Sequence, residues 1–212
     1  DLVSKMVEGQ EGKGAPPGTY LLLVWFTLWP GSLLLAMGLR SIWQTRRARA
    51  TVFLLAWAVP CWVVFELVPT KLLHYPMPLY PALALLGVAA WQARGATGGL
   101  VRGVAVPFLA FGPALLVGVA AAAIGSDAAG AAWPALLALV PAGVLAVVAF
   151  GALRLALPGA LPVALALLGG LTAAAVIATL ARMPQLWPSQ EVARILQTER
   201  PAGCAAVTLG AV

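Results

Sequence analysis

Charged side chains are scarce in this sequence. Asp, Glu, Lys and Arg make up 9% of its 212 residues, whereas a soluble domain carries about a quarter. Hydrophobic residues make up 62%, so too few polar groups are present to cover a water-facing surface. The composition therefore excludes a soluble globular protein with a large core and predicts an integral membrane protein.

Cysteine and histidine are also scarce, with two cysteines and one histidine. Cys61 lies in an apolar run and Cys204 in a polar tail, so we expect no disulfide and interpret Cys61 as a small hydrophobe. No CxxC or Cys/His metal pattern occurs. The net charge of +6 does not indicate nucleic-acid binding, because the basic residues lie between apolar runs rather than on a patch with interleaved aromatics.

The two ends of the sequence suggest a piece of a longer protein. It starts at Asp1 without a methionine and without the basic segment and short apolar core of a signal peptide. It stops after the apolar stretch VTLGAV. We therefore expect residues outside this chain to supply part of the chemistry.

Long apolar runs dominate the rest of the chain. A spanning helix needs about 20 mostly apolar residues, and helices satisfy their own backbone groups in lipid. The runs are rich in Leu and Ala and lack the alternation of barrel strands. The predicted fold class is an all-α polytopic membrane protein with about six transmembrane helices. They lie roughly at Thr19 to Leu39, Thr51 to Val68, Pro76 to Gln92, Val104 to Ile124, Trp133 to Leu153 and Ala160 to Ala181.

Among the short loops between the predicted spans, arginine occurs in alternate loops. Basic loops face the cytoplasm in membrane proteins, which predicts that both ends of the chain are extracytoplasmic. All seven acidic residues then lie outside, or at the outer end of a helix. The arginines that set this orientation are Arg40, Arg46, Arg47, Arg49, Arg94, Arg102 and Arg154.

The chain divides into three predicted regions. Residues 1–18 form an extracytoplasmic loop, 19–181 the transmembrane region, and 182–212 the start of an extracytoplasmic α/β domain. In the last region a Ser189-capped helix and a strand over AAVTLGAV are expected, with a disordered tail as the alternative. The last three apolar runs hold mostly Ala, Leu, Val and Gly, which favour close helix packing without chemistry.

Polar groups concentrate in the stretch WVVFELVPTKLLHYPMPLYPALALL, residues 62–86. Glu66 lies in the last turn of a span, where an acid usually has a partner or a function. Pro69 should end that helix, and proline is tolerated in the first turn of the next one. The intervening residues are therefore predicted to form a tight outer loop, stiffened by Pro76, Pro78 and Pro81.

This loop presents Lys71, His74 and Tyr75 at the lipid–water boundary. Together with the positive end of the following helix, these side chains predict a site for a lipid phosphate. His74 could donate a hydrogen bond or bind a metal with ligands from elsewhere. Each residue also has an ordinary alternative: a snorkelling lysine, an interfacial tyrosine and a hydrogen-bonded histidine.

The other polar stretch is EGQEGKGAPPGTYLLLVWF, residues 8–26. It reads as a Gly- and Pro-rich outer loop that leads into the first span and carries Lys13. Lys13, Glu66 and Tyr80 are the residues that we expect to support the phosphate site.

Both stretches resemble motifs of one enzyme family. TKLLHYPMPLYPALALL resembles TKLPHYxLPLYPALALL of bacterial membrane glycosyltransferases of the aminoarabinose transferase and protein O-mannosyltransferase type. GQEGKGAPPGTYLLL resembles the segment QESHGAPPGYYLLL that precedes it in that family, with the same order and spacing. The resemblance covers about residues 1–91 of this chain.

The resemblance implies a GT-C fold and a bacterial inner-membrane enzyme of the cell envelope. Such enzymes move a sugar from a polyprenyl-phosphate donor to a lipid, as in lipid A modification, or to a protein, as in mannosyl transfer. It assigns Lys71, His74 and Tyr75 to the donor-phosphate region. It places the catalytic acid in a loop before Asp1, so that this chain holds no catalytic residue.

Two positions depart from the family pattern. Lys13 stands where relatives have histidine, so a requirement for a divalent metal stays open, with His74 as a candidate ligand. Leu73 replaces a proline, which should loosen the loop. Two other functions also stay open: a transporter or flippase, which broken helices and an intramembrane acid would suit, and a non-catalytic membrane subunit.

Overall fold

The structure, a computed structural model, describes residues 15–69, 71–93, 99–126 and 128–187. These residues form helices and turns, without a strand in the described ranges. Short 3-10 turns occupy Met77–Leu79, Ala129–Ala131 and Pro184–Leu186. The α-helices are α1 (Thr19–Thr27), α2 (Ser32–Gln44), α3 (Arg49–Leu67), α4 (Tyr80–Gln92), α5 (Gly99–Gly125), α6 (Trp133–Arg154) and α7 (Ala160–Leu180).

Four helical segments are long and apolar enough to cross a membrane. Each coincides within a few residues with a predicted run, which confirms the all-α membrane class. The segments are Arg49–Leu67, Gly103–Gly125, Ala129–Arg154 and Ala160–Leu180.

The other two predicted runs are shorter or interrupted in the structure. The first run is split between α1 and α2 by a turn at residues 28–31, where Pro30 has no N–H to continue the helical ladder. The third run corresponds to Met77–Gln92, which is shorter than a full crossing usually requires. The count of six crossings therefore stays a prediction.

Several predicted features lie outside the described residues. They are Lys13, most of the loop over residues 1–18, Cys204, and the helix and strand expected after Ser189.

Within the described residues, the chain divides into two compact units, and the division crosses α5, α6 and α7. Among the described residues, one unit comprises residues 15–112 with 142–170, and the other comprises residues 113–141 with 171–187. In the second unit, the Arg182 guanidinium lies 4.9 Å from the Trp133 ring centre. The buried positions of α6 are largely alanine, so small side chains provide the packing there, whereas those of α7 are mostly leucine and threonine.

The first unit contains the core that positions the polar loops. Its tightest packing brings α2 against α4 through glycine. A Cβ added at Gly87 would lie 2.9 Å from the Leu35 backbone nitrogen, and one at Gly38 would lie 2.7 Å from the Ala90 Cβ. The buried cluster around this contact comprises Val24, Leu35, Ala58, Leu79, Ala82, Leu83 and Leu86.

Helix α3 packs against this core along one face, from Leu54 to Phe65. Ala58 is its one buried residue, and Cys61 is exposed. Seven large apolar side chains of the helix are exposed, as expected of a helix that faces lipid: Val52, Phe53, Trp57, Val59, Val63, Val64 and Leu67.

The α2–α4 contact predicts the effect of adding one methyl group. Gly87→Ala should destabilise the protein by about 1–3 kcal/mol, because the new Cβ meets backbone that cannot move aside. Gly143→Ala in α6 is the matched control. Its Cβ would meet nothing within 4 Å, so it should be neutral or raise stability by up to about 1 kcal/mol.

Thermal unfolding in detergent, followed by tryptophan fluorescence, measures both changes. Equal unfolding temperatures for the two variants would contradict the close approach of α2 and α4.

Candidate functional site

The carboxylate of Glu66 lies at the N-terminus of α1. The backbone N–H of Gly18 donates to Oε2 at 2.8 Å, and that of Leu21 donates to Oε1 at 3.1 Å. The indole N–H of Trp62, one turn earlier on α3, donates to Oε1 at 3.3 Å. An anion is stabilised there because the first N–H groups of a helix lack intrahelical partners.

Lys71 lies at the C-terminus of α3, whereas the Glu66 carboxylate lies at the N-terminus of α1. Its ammonium donates to the carbonyl oxygens of Phe65 and Glu66, both at 2.7 Å. These are among the last four carbonyls of the helix, which have no helical N–H to accept from. A cation there also complements the negative end of the helix.

The two charges also approach each other. Lys71 Nζ lies 3.6 Å from Glu66 Oε2, with the lysine side chain 3% exposed and the glutamate side chain 12% exposed. The ammonium also lies 5.1 Å from the ring centre of Tyr20. We call Gly18, Tyr20, Trp62, Glu66 and Lys71 the Glu66–Lys71 cluster.

This cluster joins the two motif segments of the sequence. Besides the contacts to Glu66, the buried Tyr20 hydroxyl donates to the Leu72 carbonyl at 2.9 Å, and the Ala15 N–H donates to the Pro69 carbonyl at 3.2 Å. The APPGTY and ELVPTKLL segments, which are about 50 residues apart, therefore lie side by side. The sequence placed both on one side of the membrane, and the structure brings them into contact.

The rest of the loop exposes His74 and half-buries Tyr75. The two rings meet edge to face with centres 5.2 Å apart, and the Tyr75 ring stacks on Phe65 at 6.0 Å. The N–H groups of Tyr75, Met77 and Leu79 donate to carbonyls within the loop. Among the described residues of this loop, His74 is therefore an exposed polar side chain, whereas Tyr75 is half-buried against Phe65.

Tyr80, which we expect to support the phosphate site, forms a hydrogen bond to α1. Its hydroxyl donates to Thr27 Oγ1 at 2.6 Å, and the Thr27 hydroxyl donates to the Leu23 carbonyl at 3.0 Å. Tyr80 therefore links α4 to α1, and it makes no described contact with Lys71 or His74. Its supporting role stays a prediction.

The structure also adds three residues that the sequence analysis missed. Gly18, Tyr20 and Trp62 hold Glu66 and Lys71 in place. Trp62 could have been found, since it lies four residues before Glu66 on the same helical face. Gly18 adopts a φ of 95°, which glycine tolerates.

A metal centre does not form among the residues that the structure describes. They contain no group of three or more His, Cys, Asp and Glu side chains that could hold an ion. The imidazole ring of His74 lies edge to face against the Tyr75 ring.

An apolar groove lies beside the cluster. It has a volume of about 400 Å³ and runs between α1, α3 and α4 with Glu66 in its wall. Its other lining residues are apolar or aromatic: Leu21, Leu55, Ala58, Val59, Trp62, Val63, Leu67 and Leu83. The arrangement can hold an extended hydrocarbon chain with a polar group near the cluster.

The Tyr20 hydroxyl predicts a measurable loss of stability when it is removed. Tyr20→Phe leaves the Leu72 carbonyl without its donor and should cost about 1 kcal/mol. Tyr75→Phe makes the same chemical change where the hydroxyl has no described hydrogen bond, and should cost less than about 0.5 kcal/mol. Unfolding in detergent measures the stability of both variants. A larger loss of stability for Tyr75→Phe would show that the Tyr20 hydroxyl does not hold the two motif segments together.

Comparison with known proteins gives one partial match. No protein-family model and no solved structure matches the chain. The chain is similar to undecaprenyl phosphate-alpha-4-amino-4-deoxy-L-arabinose arabinosyl transferase 1 of Pseudomonas fluorescens, with 41% identity over 80 residues. The match covers 37% of this chain and 14% of the relative's length. It supports a relationship to membrane glycosyltransferases.

Proposed function

We propose that this chain is part of an integral-membrane glycosyltransferase of the GT-C type. It would move a sugar from a polyprenyl-phosphate donor to a lipid or protein acceptor on the outer face of the membrane. The relative's name gives an undecaprenyl-phosphate sugar as its donor. The observation that carries the proposal is the contact between the two motif segments through the Glu66–Lys71 cluster.

The donor's two parts match two features of the site. Its apolar chain would lie in the groove between α1, α3 and α4, which has apolar walls along most of its length. Its phosphate would lie against the loop that carries Lys71, His74 and Tyr75. Sugar transfer leaves negative charge on the phosphate, so fixed hydrogen-bond donors at that place would stabilise the transition state.

The proposed orientation follows from the arginines. Arg40, Arg46, Arg47 and Arg49 are exposed around the α2–α3 connection and would face the cytoplasm of a bacterial cell. In this proposal the α1–α2 pair and Met77–Gln92 also cross the inner membrane, giving six crossings. Both chain ends are then extracytoplasmic, and residues 182–212 begin an α/β domain.

In this proposal the catalytic base lies in a loop before Asp1, as the family resemblance implies, and Glu66 is not that base. Glu66 is the one acidic residue in the described ranges, and three N–H donors occupy its carboxylate. A carboxylate held in this way serves as a structural acceptor rather than as a base that takes a proton from the acceptor substrate.

His74 provides the direct test. In the full-length protein, His74→Ala should lower sugar transfer from a polyprenyl-phosphate donor about tenfold to a hundredfold, because a hydrogen-bond donor to the phosphate is lost. Leu73→Ala is the matched control, because Leu73 is exposed, lies next to His74 in the sequence and carries no polar group. Transfer of a labelled sugar in detergent, with unfolding temperatures measured alongside, separates activity from stability.

Three results would contradict the proposal. Unchanged sugar transfer by the His74→Ala variant would show that the loop is not part of the donor site. Equal losses for His74→Ala and Leu73→Ala would indicate a general loop defect. Movement of labelled donor across vesicles without any sugar transfer would favour a flippase.

A further inference from the structure

The ammonium of Lys71 is turned into the protein. Two of its three N–H groups donate to the Phe65 and Glu66 carbonyls at 2.7 Å, and its side chain is 3% exposed. His74, three residues later, is exposed. An external ligand can therefore reach the His74 side chain without a change in the loop. It cannot reach the Lys71 ammonium in this way.

The charge of Lys71 is also balanced within the cluster. Glu66 Oε2 lies 3.6 Å from Nζ, so the two opposite charges largely cancel for a third charge farther away. The pair therefore aligns the two helix ends. A ligand outside the cluster experiences little net positive charge from it.

A direct contact between Lys71 and a phosphate would require the ammonium to leave both carbonyls. The Phe65 and Glu66 carbonyls would then lose their described side-chain donor. The Glu66 carboxylate, which is 12% exposed, would lose its neighbouring counterion. Separating a mostly buried pair in this way is costly, because one charge is left uncompensated.

We infer that Lys71 and Glu66 are positioning residues for the donor-phosphate region. They hold the C-terminus of α3 to the N-terminus of α1, and so fix the loop from which His74 and Tyr75 contact the phosphate. This inference rests on the proposed function and deepens it, by separating the residues that place the loop from those that touch the donor.

A double-mutant cycle tests the inference in the full-length protein. Lys71→Gln and Glu66→Gln each break the pair that aligns the two helix ends, so each should raise the donor KM about tenfold and lower the unfolding temperature. Because the two residues act as one unit, the double variant should be no worse than either single variant. Arg46→Gln is the matched control, since it removes an exposed positive charge that stacks on Trp43 and should leave both measurements unchanged.

A cross-link provides a second test if the glutamine variants fold poorly. Cysteines at Ala15 and Pro69, whose backbones are hydrogen-bonded at 3.2 Å, can be joined by a short thiol cross-linker in a background in which Cys61 and Cys204 are replaced by serine. In the joined protein, Lys71→Gln should keep a donor KM within about threefold of the cross-linked parent, because the covalent bond replaces the positioning contact.

The opposite pattern would overturn the inference. If Glu66→Gln keeps a normal donor KM while Lys71→Gln raises it, or if the cross-linked Lys71→Gln protein is stable but keeps the raised donor KM, the ammonium itself contacts the phosphate. A normal KM in Lys71→Gln alone would also overturn it. If the unaltered protein transfers no sugar, the proposed function fails, while the unfolding temperatures still report whether Lys71 and Glu66 are coupled.

Discussion

The Glu66 carboxylate at the N-terminus of α1 is the interaction on which the polar end of this protein depends. A helix start carries partial positive charge and a helix end partial negative charge. Here Glu66 meets the start of α1, while Lys71 meets the end of α3. The two residues are five positions apart in the sequence, so one short segment contacts both helix ends. The opposite charges of Glu66 and Lys71 neutralise each other.

Much of the helical architecture follows from composition. Runs of Leu, Val and Ala long enough to cross a bilayer become helices, and four predicted runs agree with the structure within a few residues. The break at residues 28–31 was not predicted, because one proline hardly changes the mean hydropathy of a long apolar run. Its position depends on local hydrogen bonds that Pro30 cannot make.

The site was predicted in part. The sequence indicated Glu66, Lys71, His74 and Tyr75 because polar residues beside a membrane span are unusual. It did not show the direction of the Lys71 side chain, which depends on Tyr20 and on the α3 carbonyls. Such contacts between distant segments leave no trace in one sequence, and for Tyr80 the partner Thr27 is equally hidden.

The exposed outer face of α3 has a consequence for how the bilayer acts on this protein. The helix has 19 residues and a length of about 28 Å, close to the hydrocarbon thickness of a membrane. Its large apolar side chains that do not pack on the core are exposed, so this face is suited to contact with lipid. A thicker or thinner bilayer would change the tilt of α3. Because Glu66 lies in the last turn of this helix, the change of tilt would displace Glu66 and the loop that follows it.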